Sequence, residues 1–276
     1  MRNKLNDLTG REWLFWTNTI YETAFPPDAT HRLRKAHGAM KPPELMAEII
    51  RFFTHEGEIV LDPFAGVGGT LLGAALAGRE ALGFELNPQW TEIYYRIQKE
   101  FVATDGRLVR RGAVGEGREI AGRMVTGDCL ELMAALRPGS VDAIVTDPPY
   151  GGQHGATGFK DETNFAMFNV GAEKDFGNAV DLRAYLALIN RFGHEARRLL
   201  PPGRYLVMLV GDRYRDGEYV PLGHLVAGAL REAGFLFKGL RLWWNKATQR
   251  PVKPYAVGSA FVPNITHQNI LIMLRK

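Results

Sequence analysis

Four short apolar runs set the frame of this chain: E-I-V-L-D (58–62), A-L-G-F-E-L (81–86), R-M-V-T-G-D (123–128) and V-D-A-I-V-T-D (141–147). Helix-like segments lie between them: L-L-G-A-A-L-A-G (71–78), residues 88–102, and C-L-E-L-M-A-A-L (129–136). Regular alternation of this kind restricts the options, because parallel strands need a crossover and the crossover helix covers a face of the sheet. The expectation is an α/β fold: one Rossmann-like domain, a mostly parallel sheet with an antiparallel C-terminal strand, and helices on both faces. A chain of 276 residues, 46% hydrophobic and 23% charged, has the length and composition to bury such a core.

Ahead of the first run, Leu45, Met46, Ile49, Ile50 and Phe53 recur at helical spacing behind Pro42-Pro43. Residues 1–41, with Trp13, Phe15, Trp16, Tyr21, Phe25 and the basic stretch H-R-L-R-K-A-H-G-A-M-K, read as an N-terminal arm. Residues 103–122 read as a surface excursion. Residues 151–180, rich in Gly, Asn and charge, read as a mobile insert over the active site. A helix over 181–199, a strand over 204–212, a loop R-Y-R-D-G-E-Y, a helix near 221–233 and strands over 237–245 and 265–276 follow. No repeat and no linker divides the chain, so residues 1–276 are expected to form a single domain.

The apolar runs end in residues suited to ligands. Asp62-Pro63-Phe64-Ala65-Gly66-Val67-Gly68-Gly69-Thr70 is a glycine-rich first βα turn. Such a turn lets backbone approach a ligand, with helix N–H groups aimed at it. Glu85 closes the second run, where doubly wound folds place an acid on ribose hydroxyls. Together they predict a nucleoside-containing cofactor; the plainer reading is a tight turn and nothing more. The dinucleotide fingerprint fails at Leu71, where its third glycine belongs, and no Gly-Lys-Ser/Thr marks a P-loop. S-adenosylmethionine, which has a ribose and no phosphate, suits the turn better. Asp128 after the third run either accepts from the cofactor's adenine amine or caps the next helix, and the two are compatible. Asp147-Pro148-Pro149-Tyr150 ends the fourth run. Its prolines end a strand simply by lacking N–H groups, or they hold a rigid binding edge.

Other classes lose support. Cys129 is the single cysteine, which excludes an internal disulfide framework and points to a reducing, cytoplasmic setting. No C-x-x-C or H-E-x-x-H supports a zinc site, so no metal is expected. No run approaches the roughly 18–20 apolar residues of a membrane span, and the opening M-R-N-K-L-N-D-L-T-G has no apolar signal core. A net charge of +4 is compatible with a polyanionic partner.

D-P-F-A-G-V-G-G-T, G-F-E-L-N and V-T-D-P-P-Y resemble the cofactor, ribose and catalytic motifs of the S-adenosylmethionine-dependent amino-methyltransferases of DNA, which make N6-methyladenine or N4-methylcytosine. K-P-P-E-L looks like their segment over the methionine end, and G-R-Y-L-V-M-L-V-G-D with F-V-P-N-I-T-H-Q-N-I-L-I-M-L-R-K resembles their last strands. The resemblance covers most of residues 37–276. It implies S-adenosylmethionine held by Lys41, Asp62, Phe64, Gly66, Gly68, Thr70, Glu85 and Asp128. It implies Asp147, Pro148, Pro149 and Tyr150 as catalytic residues. On that resemblance Asp147 and the Pro148 carbonyl are expected to accept the two N–H groups of an exocyclic amine, and Tyr150 to stack on a base that is flipped or unpaired. Asp147 favours adenine N6, whereas the layout and the N-D-L-T-G opening resemble cytosine-N4 members; an RNA base is a further alternative. Cytosine C5 chemistry is disfavoured, because Cys129 stands in no Pro-Cys turn and reads as inert and buried. The chain has no room for a large target-recognition domain. Recognition therefore falls to the 151–180 insert, the N-terminal arm and the 245–262 loop, or to a partner, either a second copy or an accessory specificity or restriction protein. Arg32, Arg34, Lys35, Arg213, Arg215, Lys246, Arg250 and Lys253 are expected phosphate contacts. Of Trp243 and Trp244, which alternate on a strand, one is expected in the core and one free to stack; His37, His154 and His267 are expected to be structural.

Overall fold

The computed structural model describes residues 3–113, 116–150, 174–248 and 252–276. The four apolar runs form β2 (Ile59–Asp62), β3 (Glu80–Glu85), β6 (Arg123–Thr126) and β7 (Ala143–Thr146). Between and around them lie α3 (Pro43–Phe53), α4 (Gly69–Ala77), α5 (Pro88–Glu100) and α6 (Cys129–Ala134). The C-terminal half supplies α7 (Leu182–Leu199), β8 (Tyr205–Val210), α8 (Leu222–Glu232), β11 (Phe235–Asn245) and β12 (Gln268–Arg275). The helix starts follow local chemistry. Asn87 and Asp181 accept from Gln89 N and Ala184 N, and Pro43 and Pro88 stand at first helical positions.

Two hairpins and an N-terminal unit complete the described α-helices and strands. They are α1 (Gly10–Trp16), β1 (Ile20–Thr23), α2 (His31–Arg34), β4 (Phe101–Thr104) with β5 (Arg107–Arg110), and β9 (Arg213–Arg215) with β10 (Glu218–Val220). The eight-stranded sheet runs β1-β11-β12-β8-β7-β2-β3-β6. Only β12 is antiparallel to its neighbours, which gives the mostly parallel sheet with one reversed C-terminal strand.

Alternation along the strands splits the core in two. Val60, Val145, Val207 and Leu209 face α3, α4 and α5, whereas Leu61, Ile144, Leu206 and Met208 face α6, α7 and α8.

Three expectations need correction. Residues 1–41 do more than form an arm: β1 pairs in parallel with β11 at the sheet edge. Trp16 stacks on Phe52 at 3.9 Å, and the Arg241 guanidinium lies between Trp16 and Tyr21, 4.3 and 3.8 Å from their ring centroids. The 103–122 excursion contains most of the β4–β5 hairpin, and R-Y-R-D-G-E-Y folds as β9–β10. Each turns on an Asp-Gly pair with positive φ (Asp105 48°, Gly106 71°; Asp216 52°, Gly217 84°), the backbone that twisted two-residue hairpins require. Most of the 151–180 insert, His154 and Arg250 lie outside the described residues.

α3 and α4 pack closely because residue 73 has no side chain. A Cβ there would stand 2.7 Å from Met46 Cβ, 2.8 Å from Ala47 N and 2.9 Å from Pro43 O. Gly73→Ala is expected to lower stability by about 1–3 kcal/mol through overpacking, read as a lower urea midpoint at unchanged slope.

Candidate active site

Because β2, β3, β6 and β7 are parallel neighbours, their carboxyl ends share one edge. That edge carries Asp62, Glu85, Asp128 and Asp147. From β2 the chain runs outward to β3 and β6, then returns through β7 to β8. The crevice between β2 and β7 is therefore the switch point, where open α/β sheets bind ligands.

The glycine turn lies at the mouth of that crevice. Gly66 and Gly68 have φ of 52° and 81°. A Cβ at Gly68 would stand 2.2 Å from Tyr94 Cδ2, and one at Gly66 would stand 2.9 Å from His37 Nε2. Asp62 supports the turn from below and is 3% exposed. Its Oδ1 accepts from Phe64 N (3.0 Å) and from Thr146 Oγ1 (2.6 Å), and the Thr70 hydroxyl adds a further bond. Burial still raises its carboxyl to about 6. Asp62 thus ties β2 to β7. Phe64 packs edge-on against Phe176, with centroids 4.9 Å apart.

Glu85 holds the turn from the side. Its Oε2 accepts from Gly66 N and its Oε1 from Asn87 N, each at 2.8 Å. A carboxylate has about four acceptor sites, so capacity remains for two hydroxyls. Burial is the main cause that lifts its pKa to about 7, against those two backbone donors. Asp128 accepts from Glu131 N at 2.9 Å, so it does cap α6.

At Asp147 both oxygens are engaged. Tyr150 Oη donates to Oδ1 at 2.9 Å, and Lys41 Nζ pairs with Oδ2. Tyr150 is held in turn by Gln268 Nε2, which donates to its Oη at 3.1 Å, and its ring lies against Gly211, where a Cβ would stand 3.1 Å away. The Pro148 side chain is buried. Arg34 is the clear correction among the expected phosphate contacts. It is 1% exposed, pairs with Asp28, and donates through Nε to Thr30 Oγ1 (2.8 Å) and through Nη1 to the Lys41 carbonyl (3.1 Å). It fixes the Lys41 backbone and cannot reach a phosphate. His37 packs edge-on to Trp90 at 5.1 Å. Burial, with the Lys41 and Arg34 charges, pushes its pKa down to about 4, so the ring is neutral.

Three contributors escaped the sequence reading. Thr146 precedes Asp147 and Gln268 opens β12, but their partners become apparent only once the strands are paired. Tyr185 on α7 is fully buried; burial and then the Asp147 charge raise its hydroxyl. That hydroxyl has no hydrogen-bond partner among the described residues.

The cleft bounded by His37, Lys41, Gly66, Thr70 and Asp147 is narrow, about 40 Å³, with the Lys41 side chain reaching Asp147 along it. A larger recess of about 230 Å³ lies at the opposite sheet edge, where Glu56 and Arg118 already pair. Among the described residues no group of three His, Cys, Asp or Glu side chains could hold a metal, and no helix is long and apolar enough to cross a membrane.

The same sheet edge also carries the β11–β12 connection. From Lys246 to Thr266 the sequence has three Lys or Arg residues, Lys246, Arg250 and Lys253, and no carboxylate side chain. Asn264 clasps Lys253, accepting from its N at 2.8 Å and donating to its O at 2.9 Å. The loop so closed displays Tyr255, Val257 and, 86% exposed, Phe261. Trp243 is buried, with Nε1 donating to Thr23 Oγ1 at 2.8 Å, and Trp244 is exposed beneath Lys246. Arg32, Lys35, Arg215 and Lys253 are exposed. Lys246 pairs with Glu22, and His267 lies 3.7 Å from Asp212.

A family model described as DNA methylase matches residues 3–96 and 141–274. A second, described as an RMKL-like methyltransferase domain, matches residues 53–167. The chain is 38% identical over 80 residues to the putative methylase YubD of Escherichia coli, covering 29% of this chain and 34% of that protein. It is 51% identical over 51 residues to the type II methyltransferase M.HindIII of Haemophilus influenzae, covering 18% and 16%. It is 31% identical over 128 residues to the tRNA (guanine(10)-N2)-dimethyltransferase of Methanocaldococcus jannaschii, covering 46% and 33%. The matches thus span about a third or less of these relatives' lengths. TrmN from Thermus thermophilus aligns over 90% of this chain and 53% of that one, with a TM-score of 0.51 at 15% identity, which is a likeness of fold.

Cys129 is buried, and burial followed by the Asp128 charge pushes its thiol up. It is therefore expected to resist a thiol reagent at pH 8 in the native protein and to react stoichiometrically once denaturant is added.

Proposed function

Because the chain belongs to the DNA methylase family of amino-methyltransferases, we propose that it transfers a methyl group from S-adenosylmethionine to an exocyclic base amine in DNA, adenine N6 first. The observation that carries this reading is the convergence of the glycine turn and Asp147-Pro148-Pro149-Tyr150 on one crevice between β2 and β7.

The residues present suit the cofactor. The turn is bare where any side chain would strike His37 or Tyr94, and Glu85 retains acceptor sites for the ribose hydroxyls. Phe64, Thr70 and Asp128 line the same edge, and Lys41 extends along it. S-adenosylmethionine supplies an activated methyl on a cationic sulfur; the protein supplies position. An exocyclic amine is a weak nucleophile, because its lone pair is delocalised into the ring. Asp147 and the Pro148 carbonyl accept its two N–H groups, which favours a pyramidal nitrogen with its lone pair aimed at the methyl carbon. When bound, S-adenosylmethionine would supply the methyl carbon, and its sulfur would keep the C–S electron pair as the new N–C bond forms. The nitrogen then carries the positive charge and releases one proton, for which Asp147 is the nearest acceptor. Fixed acceptors of this kind act by orientation and electrostatic preorganisation. Tyr150 forms the wall of the base pocket while bonded to Asp147, and the buried Tyr185 hydroxyl offers one more polar contact.

A base reaches this pocket only flipped or unpaired. The carboxylate-free β11–β12 loop, with Lys253 beside Tyr255 and Phe261, provides cations for phosphates and rings for stacking. A second reading, an exocyclic amine of RNA, draws on the tRNA methyltransferase relatives, which cover more of the chain than the DNA enzymes quoted. Cytosine N4 remains the alternative within DNA.

Labelled S-adenosylmethionine with duplex DNA, single-stranded DNA or RNA, followed by digestion to nucleosides, tests the proposal. Label is expected in N6-methyladenosine of DNA, with Asp147→Ala lowering the rate by about 10²–10³. Label in N4-methylcytidine or in RNA alone selects the alternatives, and none at all refutes the reading.

Glu85 sets a pH dependence. Its folded pKa of about 7 lies above the ordinary value, so in the protein alone its contribution to stability is present at low pH and is lost as pH rises through about 7. Ribose hydroxyls donate to the ionised form, so cofactor affinity is expected to rise through pH 7 and level off by about pH 8. Glu85→Gln is expected to weaken binding on the order of 10–100-fold at pH 8 and to flatten the profile, as measured by calorimetry.

A further inference from the structure

Lys41 is held in an unusual way. Its carbonyl is fixed by Arg34, itself buried between Asp28 and Thr30, and stands 3.3 Å from where a Cβ on Gly69 would lie. The backbone of residue 41 is therefore pinned between a buried guanidinium and the glycine turn, and only the four-carbon side chain is free to swing. That side chain reaches across the crevice to Oδ2 of Asp147, in a pair whose members are 10% and 20% exposed. With Tyr150 Oη on Oδ1, the ammonium occupies the other carboxylate oxygen, so each oxygen already carries a donor. An ammonium at that point mimics the donor that a target amine would present.

We propose that Lys41 is a charge-sensing gate on Asp147: its ammonium holds the carboxylate while the cofactor sulfur is neutral, and yields it to the target amine while that sulfur is cationic. The inference rests on the proposed reading of the site as a methyltransferase acting on an exocyclic amine. In-line transfer needs reacting atoms about 3–3.5 Å apart, so a sulfonium methyl must lie close to whatever donor occupies Asp147. An ammonium there would confront a second positive charge across a narrow crevice that solvent screens weakly. Lys41 then leaves Asp147, and both target N–H groups find their acceptors free. Transfer moves the positive charge from sulfur to the amine nitrogen, which sheds one proton to Asp147 and becomes neutral, and Asp147 passes that proton to solvent and is again a carboxylate. The sulfur is now a thioether. Nothing opposes the return of Lys41 to Asp147, where it displaces the methylated amine. One side chain thus couples the charge state of the cofactor to the capture and release of the base, as a positioning residue acting through Asp147.

The probes are sinefungin, which carries an amine cation near the sulfur position, and S-adenosylhomocysteine, which is neutral there. Fluorescence anisotropy of a labelled single-stranded oligonucleotide containing all four bases is measured on the full chain saturated with each. Wild type is expected to bind about tenfold more tightly with sinefungin, within the usual range of coupling between sites. In Lys41→Met the two affinities are expected to agree within about twofold, and Lys41→Arg is expected to keep the preference. Calorimetry without nucleic acid gives a second readout: the ratio of sinefungin Kd to S-adenosylhomocysteine Kd should fall in Lys41→Met. A lysine that merely touched the cofactor tail would weaken both analogues alike and leave that ratio unchanged. Equal oligonucleotide affinities in wild type, a preference that survives in Lys41→Met, or an unchanged calorimetric ratio overturns the gate. If oligonucleotide binding is absent, the calorimetric ratio alone decides. If neither analogue binds wild type, the methyltransferase reading of the site fails, and the gate fails with it.

Discussion

Four carboxyl groups meet at one edge of a parallel sheet, and the site is organised around the need to keep them there. Buried carboxylates require donors. Asp62 draws on two hydroxyls and a backbone N–H, Glu85 on two backbone N–H groups, Asp128 on the first turn of α6, and Asp147 on Tyr150 and Lys41. These donors are also the cross-links of the site. Thr146 to Asp62 locks β7 to β2, Glu85 locks β3 to the glycine turn, and Lys41 bridges the N-terminal unit to β7. An edge that gathers four carboxyl groups is complementary to a ligand with positive charge on sulfur, whereas the nearby His37 is kept neutral by its burial first and then by the Lys41 and Arg34 charges.

The sheet and the edge were legible because their signals are local. Strand runs of four to six residues, each ending in an acid or followed by one within two residues, and helices with caps at Asn87, Asp128 and Asp181, state their places without help from distant chain. Some signals were present and passed over. Thr9-x-x-Glu12 is a capping box, and it starts α1; the Asp-Gly pairs at 105–106 and 216–217 are hairpin turns.

What could not be read depends on packing. Arg34 sits in a basic stretch that looks like a phosphate contact, yet Asp28 and Thr30 take it inside. The composition of a run gives charge, whereas burial comes from which face the fold turns inward. Tyr150 was expected to stack on a base, but the sequence did not reveal what holds it: Gln268, which is 118 positions away, donates to its hydroxyl, and Gly211 receives its ring. β1 has too few apolar residues to be recognised alone and becomes a strand because β11 offers an unpaired edge.

That edge strand has a consequence for how the chain comes to be folded. Thr23 waits for Trp243, which is 220 positions further on, and β8 cannot reach β11 until β12, the last strand described, has come between them. Closing such long loops costs entropy before any contact is gained, and topologies dominated by distant pairings fold slowly. During synthesis the β2–β7 half, whose neighbours lie close in sequence, is able to assemble first. Trp16 and β1 meanwhile lack the Arg241 and β11 that cover them until the C-terminal strands emerge. The same arrangement that completes the sheet therefore makes the N-terminal unit the last to settle, and the segment most dependent on protection from aggregation while the chain is being made.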